Sequence, residues 1–307
     1  MLESTLLFVS LLAGYFFCKI QVSVKNLRII NICLEIIVVS IIILTGYNFS
    51  IFTHANAIIL EVTELALVYS AALFFMNILA LWLLCRYVDI KGKYITLKDP
   101  KHKDKILTLV LQASKYMIFI VIGYVLGEIL DIDLTHQVED VIYILLLSLL
   151  FIVGLLLRLE NISITEVCKK KSALIIVILL VVTSILSGII MSSIVGIPTK
   201  QSIMISSGLG WYSLSMVLNT DYLGQYYGMI TFLIDFIREL VVLIAIPLLR
   251  KTLSVELVGY SANTAMDFCL PVIRNNYGNK VVPLAISIGL MLTFITPLLL
   301  IIENQIL

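Results

Sequence analysis

The sequence predicts an all-α protein that crosses a membrane several times. Of its 307 residues, 61% are hydrophobic and only 13% are charged, whereas soluble domains are roughly 45–50% apolar and about 25% charged. The mean hydropathy is +1.09, and the apolar residues occur in runs near the roughly 20 residues that a membrane-spanning helix needs. A net charge of +1 does not suggest a nucleic-acid partner. The expected environment of most of the chain is therefore a lipid bilayer.

Eight long apolar segments are predicted to be transmembrane helices. They cover residues 2–20, 27–49, 58–85, 115–130, 139–157, 172–196, 226–249 and 281–302. The first segment carries Glu3 and lacks both a basic N-terminal region and a small-residue cleavage site. We therefore interpret it as a helix of the mature protein rather than a signal peptide.

Two shorter segments, 199–220 and 252–275, have glycines or small polar residues in their middle. Each arm is about ten residues long, or roughly 15 Å as a helix, which is half the hydrocarbon thickness. Each segment is therefore either a re-entrant hairpin or a broken spanning helix. Such backbone is tolerated in a membrane only where protein buries it or where it lines a cavity.

The basic residues favour the hairpin alternative. If the two short segments are hairpins that enter from opposite faces, all of the 21 Lys and Arg residues except Lys200 and Arg238 lie on one side of the membrane. If both segments spanned instead, Arg250 and Lys251 would lie on the opposite side. Because basic loops stay in the cytoplasm, the hairpin arrangement predicts that both termini are outside.

An internal repeat is predicted in the first two thirds of the chain. Residues 6–85 and 118–196 each contain a Gly-Tyr pair in a first helix, a glycine near the end of a second helix, and a long third helix. An odd number of helices per copy would invert the second copy, as in many secondary transporters. We predict that residues 1–198 are a scaffold and that residues 199–307, with the order hairpin, helix, hairpin, helix, are a transport region.

Three charged residues lie together in one apolar helix. Asp235 and Glu239 are four residues apart on one face, and Arg238 can pair with either. A charge at the bilayer centre costs at least about 2.5 kcal/mol, so such residues tend to mark a pathway. The alternative for Asp235 and Arg238 is a structural ion pair, which leaves Glu239 as the surplus carboxylate.

The second short segment contains Asp267, preceded by Ser261, Asn263 and Thr264. Small polar residues at a helix break supply hydroxyls, amides and backbone carbonyls, which suit a cationic ligand. The alternative interpretation of these residues is a helix cap.

The first short segment has Gly208 and Gly210 at its centre, followed by Trp211, Tyr212 and Ser213. The glycines permit an unusual backbone, and the indole face of the tryptophan can bind an ammonium group. The alternative is an aromatic anchor at the membrane interface.

No feature of the sequence favours an enzyme. The five cysteines lack a CxxC spacing, the three histidines lack metal-ligand partners, and no HExxH motif is present. No cofactor or metal is therefore expected. The P-loop pattern GxxxxGK[ST] is also absent, so ATP is not the expected direct driver of any transport.

Four sequence stretches carry a resemblance to a known family. GLGWYSLSMVL (208–218), IRELVVLIAIP (237–247), ANTAMDFCLPVI (262–273) and VVPLAISIGLMLTFITPLLL (281–300) resemble the signatures of the LysO family of bacterial lysine exporters. The resemblance implies an inner-membrane protein that exports L-lysine and its analogue thialysine, with both termini outside. Two intramembrane acids are considered important in that family, and by motif they fall on Glu239 and Asp267.

Two functional hypotheses follow. The first is export of lysine or a similar cationic amino acid in exchange for protons on Glu239 and Asp267. The second is a transporter of the same fold for another small cation, such as a polyamine, ornithine, arginine or sodium. Nothing in the sequence predicts the oligomeric state.

Overall fold

The computed structural model describes residues 2–17, 24–56, 58–95, 115–130, 132, 134–159, 170–266 and 268–307. Within these ranges every regular element is a helix, which confirms the predicted all-α class. In the described part of the chain, five helical stretches are long and apolar enough to cross a bilayer: Ile32–Ile51, Ile59–Tyr87, Thr135–Leu156, Lys171–Val195 and Asn279–Ile306. The total of eight spanning helices stays a prediction.

Thirteen α-helices are described. In chain order they are α1 (Leu2–Phe17), α2 (Val24–Asn56), α3 (Ile59–Tyr87), α4 (Lys91–Tyr94), α5 (Lys115–Leu130), α6 (Thr135–Leu159), α7 (Lys171–Val195), α8 (Thr199–Ser206), α9 (Tyr212–Leu223), α10 (Gln225–Leu249), α11 (Val255–Tyr260), α12 (Leu270–Tyr277) and α13 (Val282–Ile306). Two 3₁₀ turns cover Ala262–Met266 and Asn279–Val281. Helix α10 is as long as the candidate spans, but it carries Asp235, Arg238 and Glu239 at its centre.

The chain divides into two compact units. Unit 1 comprises Met1–Ile59 and Lys115–Glu166, and unit 2 comprises Leu60–Ser114 and Val167–Leu307. The third helix of each predicted repeat, α3 or α7, therefore belongs to the same unit as the C-terminal elements. The predicted scaffold and transport roles of residues 1–198 and 199–307 concern function and stay predictions.

Unit 1 is built on crosswise packing, in which α1 packs on α6 and α2 packs on α5. A methyl group at Gly14 of α1 would overlap the Phe151 carbonyl of α6, and one at Gly123 of α5 would overlap the Ile43 carbonyl of α2. Glycine is therefore needed where these backbones approach most closely. The first helix of each predicted repeat thus packs on the second helix of the other. The inverted repeat itself stays a prediction.

Unit 2 holds α8 between two long helices. Ser202 Oγ donates a 2.6 Å hydrogen bond to the Gly188 carbonyl of α7, and it also shares a 2.6 Å hydrogen bond with the Tyr69 hydroxyl of α3. A Cβ at Gly188 would lie 2.6 Å from the Ile203 Cα atom, so α7 and α8 touch backbone to backbone. This anchoring positions the segment that follows α8.

The segment 199–223 is a hairpin, one of the two alternatives that the sequence left open. Asn219 Nδ2 of α9 donates a 3.1 Å hydrogen bond to the Met204 carbonyl of α8. In a helix that continued onward these residues would be about 20 Å apart, at 1.5 Å per residue. The chain on either side, 195–198 and 226–227, lines one shared cavity. Both ends of the segment therefore lie together, and its middle forms a tip.

The segment 252–275 is also a hairpin. The Tyr277 hydroxyl, just beyond its second arm, donates a 2.9 Å hydrogen bond to the Leu253 carbonyl at its start. Near the tip, the Cys269 amide donates a 3.0 Å bond to the Thr264 carbonyl. Buried apolar side chains of α7, α10 and α13 surround the hairpin. The membrane face from which each hairpin enters stays a prediction.

Candidate functional site

The tips of the two hairpins are in direct contact. The Leu209 carbonyl, at the first tip, accepts hydrogen bonds from the Asn263 amide at 3.1 Å and from Asn263 Nδ2 at 3.0 Å. Leu209 and Ala262 both have a φ of +52°, which is rare for residues with a side chain. Gly210, with a φ of +81°, completes the first turn. The contact therefore joins two sharp reversals of the chain.

Asp235 holds the first tip from the side of α10. Its Oδ1 atom accepts a 2.8 Å bond from the Gly210 amide, and its Oδ2 atom accepts a 2.7 Å bond from Ser215 Oγ. Any side chain at Gly208 would overlap the Asp235 carboxylate. Both carboxylate oxygens are thus occupied where α9 begins, much as a capping residue satisfies a helix start.

Arg238 lies one turn further along α10 and faces the second hairpin. Its Nη1 atom is 3.4 Å from the Tyr260 carbonyl, to which it donates, and its guanidinium carbon lies 4.8 Å from the centre of the Tyr260 ring. Its stem lies against the first tip, because a Cβ at Gly210 would be 3.5 Å from Arg238 Cδ. The side chain is 1% exposed. One arginine therefore contacts both hairpins.

The Nε and Nη2 atoms of Arg238 have no hydrogen-bond partner among the described residues. Asp235 accepts hydrogen bonds from Gly210 and Ser215, and no described residue accepts from this edge of the guanidinium. Asp235 and Arg238 do not form a direct hydrogen-bonded pair through Nε or Nη2 among the described residues, and a structural role for the two charges stays a prediction.

The family resemblance points to two acids, Glu239 and Asp267. Glu239, next to Arg238 on α10, is buried at 1% exposure. Asp267 lies outside the described residues. Its neighbour Met266 packs against Gly289 of α13, where a Cβ would lie 2.6 Å from Met266 Cγ.

The polar residues of the second tip mainly bond to their own hairpin. Ser261 Oγ donates a 2.7 Å bond to the Leu257 carbonyl, and Thr264 Oγ1 donates a 2.8 Å bond to the Ser261 carbonyl. Asn263 Nδ2 also donates to Thr296 Oγ1 of α13 at 3.0 Å. Asn263 is therefore the member of this predicted set that connects the hairpin to other elements.

The aromatic residues after the first tip have different surroundings. Tyr212 is buried and packs edge to face on Phe232 of α10, with ring centroids 5.7 Å apart. Trp211 is half-buried, and its carbonyl oxygen lies 3.0 Å from Ser215 Oγ. Ser213 is buried. Tyr212 thus helps fix α9 to α10, and ammonium binding by Trp211 stays a prediction.

Two buried carboxylates were missed by the sequence analysis. Glu303 Oε1, on α13, accepts a 2.8 Å bond from Ser207 Oγ beside the first tip, and its Oε2 atom has no partner in the described part of the chain. Glu256 of α11 forms a 2.6 Å ion pair with Lys91 Nζ. An acid within an otherwise apolar C-terminal helix was the available signal for Glu303, but its closeness to the chain end obscured it.

Long apolar helices, two hairpins with touching tips, and buried charged residues at that junction define a polytopic membrane transporter. The model of the lysine exporter LysO family matches residues 117–303. The chain belongs to this family, which confirms the predicted resemblance.

Two relatives illustrate the similarity. Lysine exporter LysO of Escherichia coli strain K12 is 30% identical over 295 residues, which cover 96% of each chain. A Haemophilus influenzae protein named "Putative lysine exporter" is 35% identical over 182 residues, which cover 59% of this chain and 93% of the relative. No solved structure matches the chain.

Proposed function

We propose that this protein exports L-lysine across the bacterial inner membrane in exchange for protons. The observation that carries the proposal is the contact between two hairpin tips beside buried ionisable residues of α10. The names of the relatives support lysine as the substrate. Thialysine, which differs little from lysine in size and charge, would use the same route.

Lysine carries one net positive charge, so its site needs more carboxylates than cations. Helix α10 carries two acids, Asp235 and Glu239, and one arginine, Arg238. Asp267, which follows the second tip in the sequence, is the proposed third acid. An ammonium group desolvated at such a junction requires an anionic partner, because an unpaired charge is costly in a low-dielectric environment.

Exchange follows if an acid at this junction holds either a proton or a substrate ammonium, but not both. Burial in a low-dielectric environment favours the neutral form of a carboxyl group, whereas a nearby cation favours the ionised form. Arrival of lysine would therefore release the proton, and departure of lysine would allow the proton to return. We assign this role to Glu239 and Asp267.

The hairpin tips are the proposed gate. The two hydrogen bonds from Asn263 to the Leu209 carbonyl close the junction, and separation of the tips would open it toward one face at a time. In secondary transporters, interrupted segments near the midplane form the substrate site, around which one part of the protein moves against the other. We place both termini outside, so that the hairpin 199–223 enters from the periplasm and the hairpin 252–275 enters from the cytoplasm.

Inside-out membrane vesicles test the proposal. With an acidic lumen and a neutral exterior, radiolabelled lysine should accumulate in the lumen, and collapse of the pH difference with an ionophore should abolish accumulation. Lysine uptake that is unaffected by the pH difference would contradict proton exchange.

Competition in the same assay addresses the other cations. Excess ornithine, arginine, a diamine or sodium should displace lysine less well than unlabelled lysine does. A diamine or sodium that is itself accumulated, without lysine accumulation, would support the second functional hypothesis instead.

A further inference from the structure

One edge of the buried Arg238 guanidinium, formed by its Nε and Nη2 atoms, makes no hydrogen bond to the described residues. Its Nη1 atom bonds to the Tyr260 carbonyl, and its Nε and Nη2 atoms have no partner among the residues described. The side chain is almost wholly buried, so bulk water does not satisfy these donors. A buried donor without a partner is uncommon in proteins and calls for a physical explanation.

The cost of this arrangement is substantial. A buried donor without a partner loses the hydrogen bonds that it made to water, and the loss is larger when the group is charged. A lysine at this position could turn its single ammonium toward Tyr260, but an arginine presents a fixed second edge. Buried donors that no protein group satisfies are suited to a ligand that binds reversibly.

The chemistry of the edge identifies that partner. The Nε and Nη2 atoms of a guanidinium point in parallel and match the two oxygens of a carboxylate, so the pair forms two charge-assisted hydrogen bonds. The Asp235 carboxylate does not fill this edge, because neither Nε nor Nη2 has a partner among the described residues. Its oxygens accept from Gly210 and Ser215. The Tyr260 ring covers the guanidinium, which leaves its in-plane edge for an anion.

We propose that the Nε–Nη2 edge of Arg238 binds the α-carboxylate of the transported amino acid. The inference rests on the proposed export of lysine and adds a requirement on the substrate. The acids at the junction would bind the ammonium groups, while Arg238 would require a carboxylate. The site would therefore bind amino acids. It would reject diamines whose two ammonium groups are spaced as in lysine but which have no carboxylate.

This assignment also explains why Arg238 contacts both hairpins. The carboxylate would arrive between the arm ending at Tyr260 and the tip at Gly210, which pack on the guanidinium and on the side-chain stem respectively. A ligand bound there would contact α10 and both tips. Its binding could therefore change the contact between the two hairpins.

The test compares lysine with one analogue in which a neutral amide replaces the carboxylate and with one that lacks the carboxyl group altogether. Thermal stabilisation and equilibrium binding of the purified wild-type protein are measured with lysine, lysinamide and 1,5-diaminopentane. Lysine should bind on the order of tenfold to a hundredfold more tightly than either analogue, the size expected for hydrogen bonds to charged groups. Equal affinity for lysine and lysinamide would overturn the inference and leave lysine export intact.

A pair of variants adds a second, independent measurement. Arg238→Lys keeps the charge but removes the two-pronged edge, and it should lower the preference for lysine over lysinamide to near unity. The matched control is Arg158→Lys, because Arg158 also lies over a tyrosine ring, 5.7 Å from the centre of Tyr15, but is exposed. That control should keep the wild-type preference.

The two proposals fail in different ways. A wild-type protein that binds and transports no lysine would contradict the proposed function itself. A protein that transports lysine and keeps its full preference over lysinamide after Arg238→Lys would overturn only the role of Arg238. If Arg238→Lys does not fold, the wild-type comparison of lysine with lysinamide decides the question.

Discussion

Asn263 bonds twice to the Leu209 carbonyl, through its main-chain amide at 3.1 Å and its side-chain amide at 3.0 Å. These residues are 54 positions apart in the sequence, and each lies at the turn of its own hairpin. A single residue thus makes two hydrogen bonds between the tips, and its side chain also donates to Thr296 of α13.

Replacement of Asn263 by alanine should loosen this contact. Two side-chain hydrogen bonds are lost and the buried Thr296 hydroxyl loses a partner, so the unfolding free energy should fall by about 1–3 kcal/mol. The measurement is the melting temperature of the purified protein in detergent. The matched control is Asn276→Ala, because the Asn276 amide donates to the Val272 carbonyl within its own helix. Equal melting temperatures for the two variants would contradict a clamp at Asn263.

Replacement of Gly208 by alanine should displace the first tip. The added methyl group would overlap the Asp235 carboxylate, which holds the Gly210 amide and Ser215. We expect loss of lysine transport together with a lower melting temperature, because a clash at a buried junction costs about 1–3 kcal/mol.

The control for Gly208→Ala is Gly196→Asn. Nothing lies within 4 Å of a Cβ at Gly196, and asparagine tolerates the positive φ of this position better than other residues. Transport should survive this substitution. Full activity of Gly208→Ala would show that the tip can move away from Asp235 without functional consequence.

Removal of charge from the proposed coupling acids should abolish proton-driven export. Glu239→Gln and Asp267→Asn keep side-chain shape and hydrogen bonding but cannot exchange a proton. In inside-out vesicles with an acidic lumen, each variant should reduce lysine uptake to the level of vesicles without the protein.

Glu139→Gln is the matched control for these two variants, because Glu139 is an exposed carboxylate of α6. Its uptake should equal that of the wild type, and gel filtration should show that all three variants are folded. Retained proton-driven uptake in both Glu239→Gln and Asp267→Asn would exclude them as coupling acids and make Asp235 the next candidate.

The predicted topology can be tested with single cysteines in a cysteine-free background. A cysteine at Lys103 should be cytoplasmic and one at Asp133 should be external, because basic loops remain inside. In intact cells, an impermeant thiol reagent should label position 133 and not position 103, and both should react after permeabilisation. The reverse pattern in intact cells would invert the proposed orientation.

Local composition was sufficient to predict the class of this protein and several members of the site. Helices long enough to span a membrane can be recognised from runs of apolar residues, because hydropathy depends only on residues that are neighbours in the sequence. The interruptions at 199–220 and 252–275 are visible because glycines and small polar residues break an apolar run. Asp235, Arg238 and Glu239 can also be recognised from the sequence, because charged residues are rare in apolar helices.

The tertiary structure decided what those residues touch. Whether each short segment spans or turns back depends on contacts such as Asn219 with Met204, and similar composition is compatible with both. The sequence allowed Arg238 to pair with Asp235, but the tip at Gly210 takes one Asp235 oxygen. Glu303 joins the site only because α13 passes Ser207, 96 residues away. These features arise from packing between distant segments, which local hydropathy and spacing do not encode.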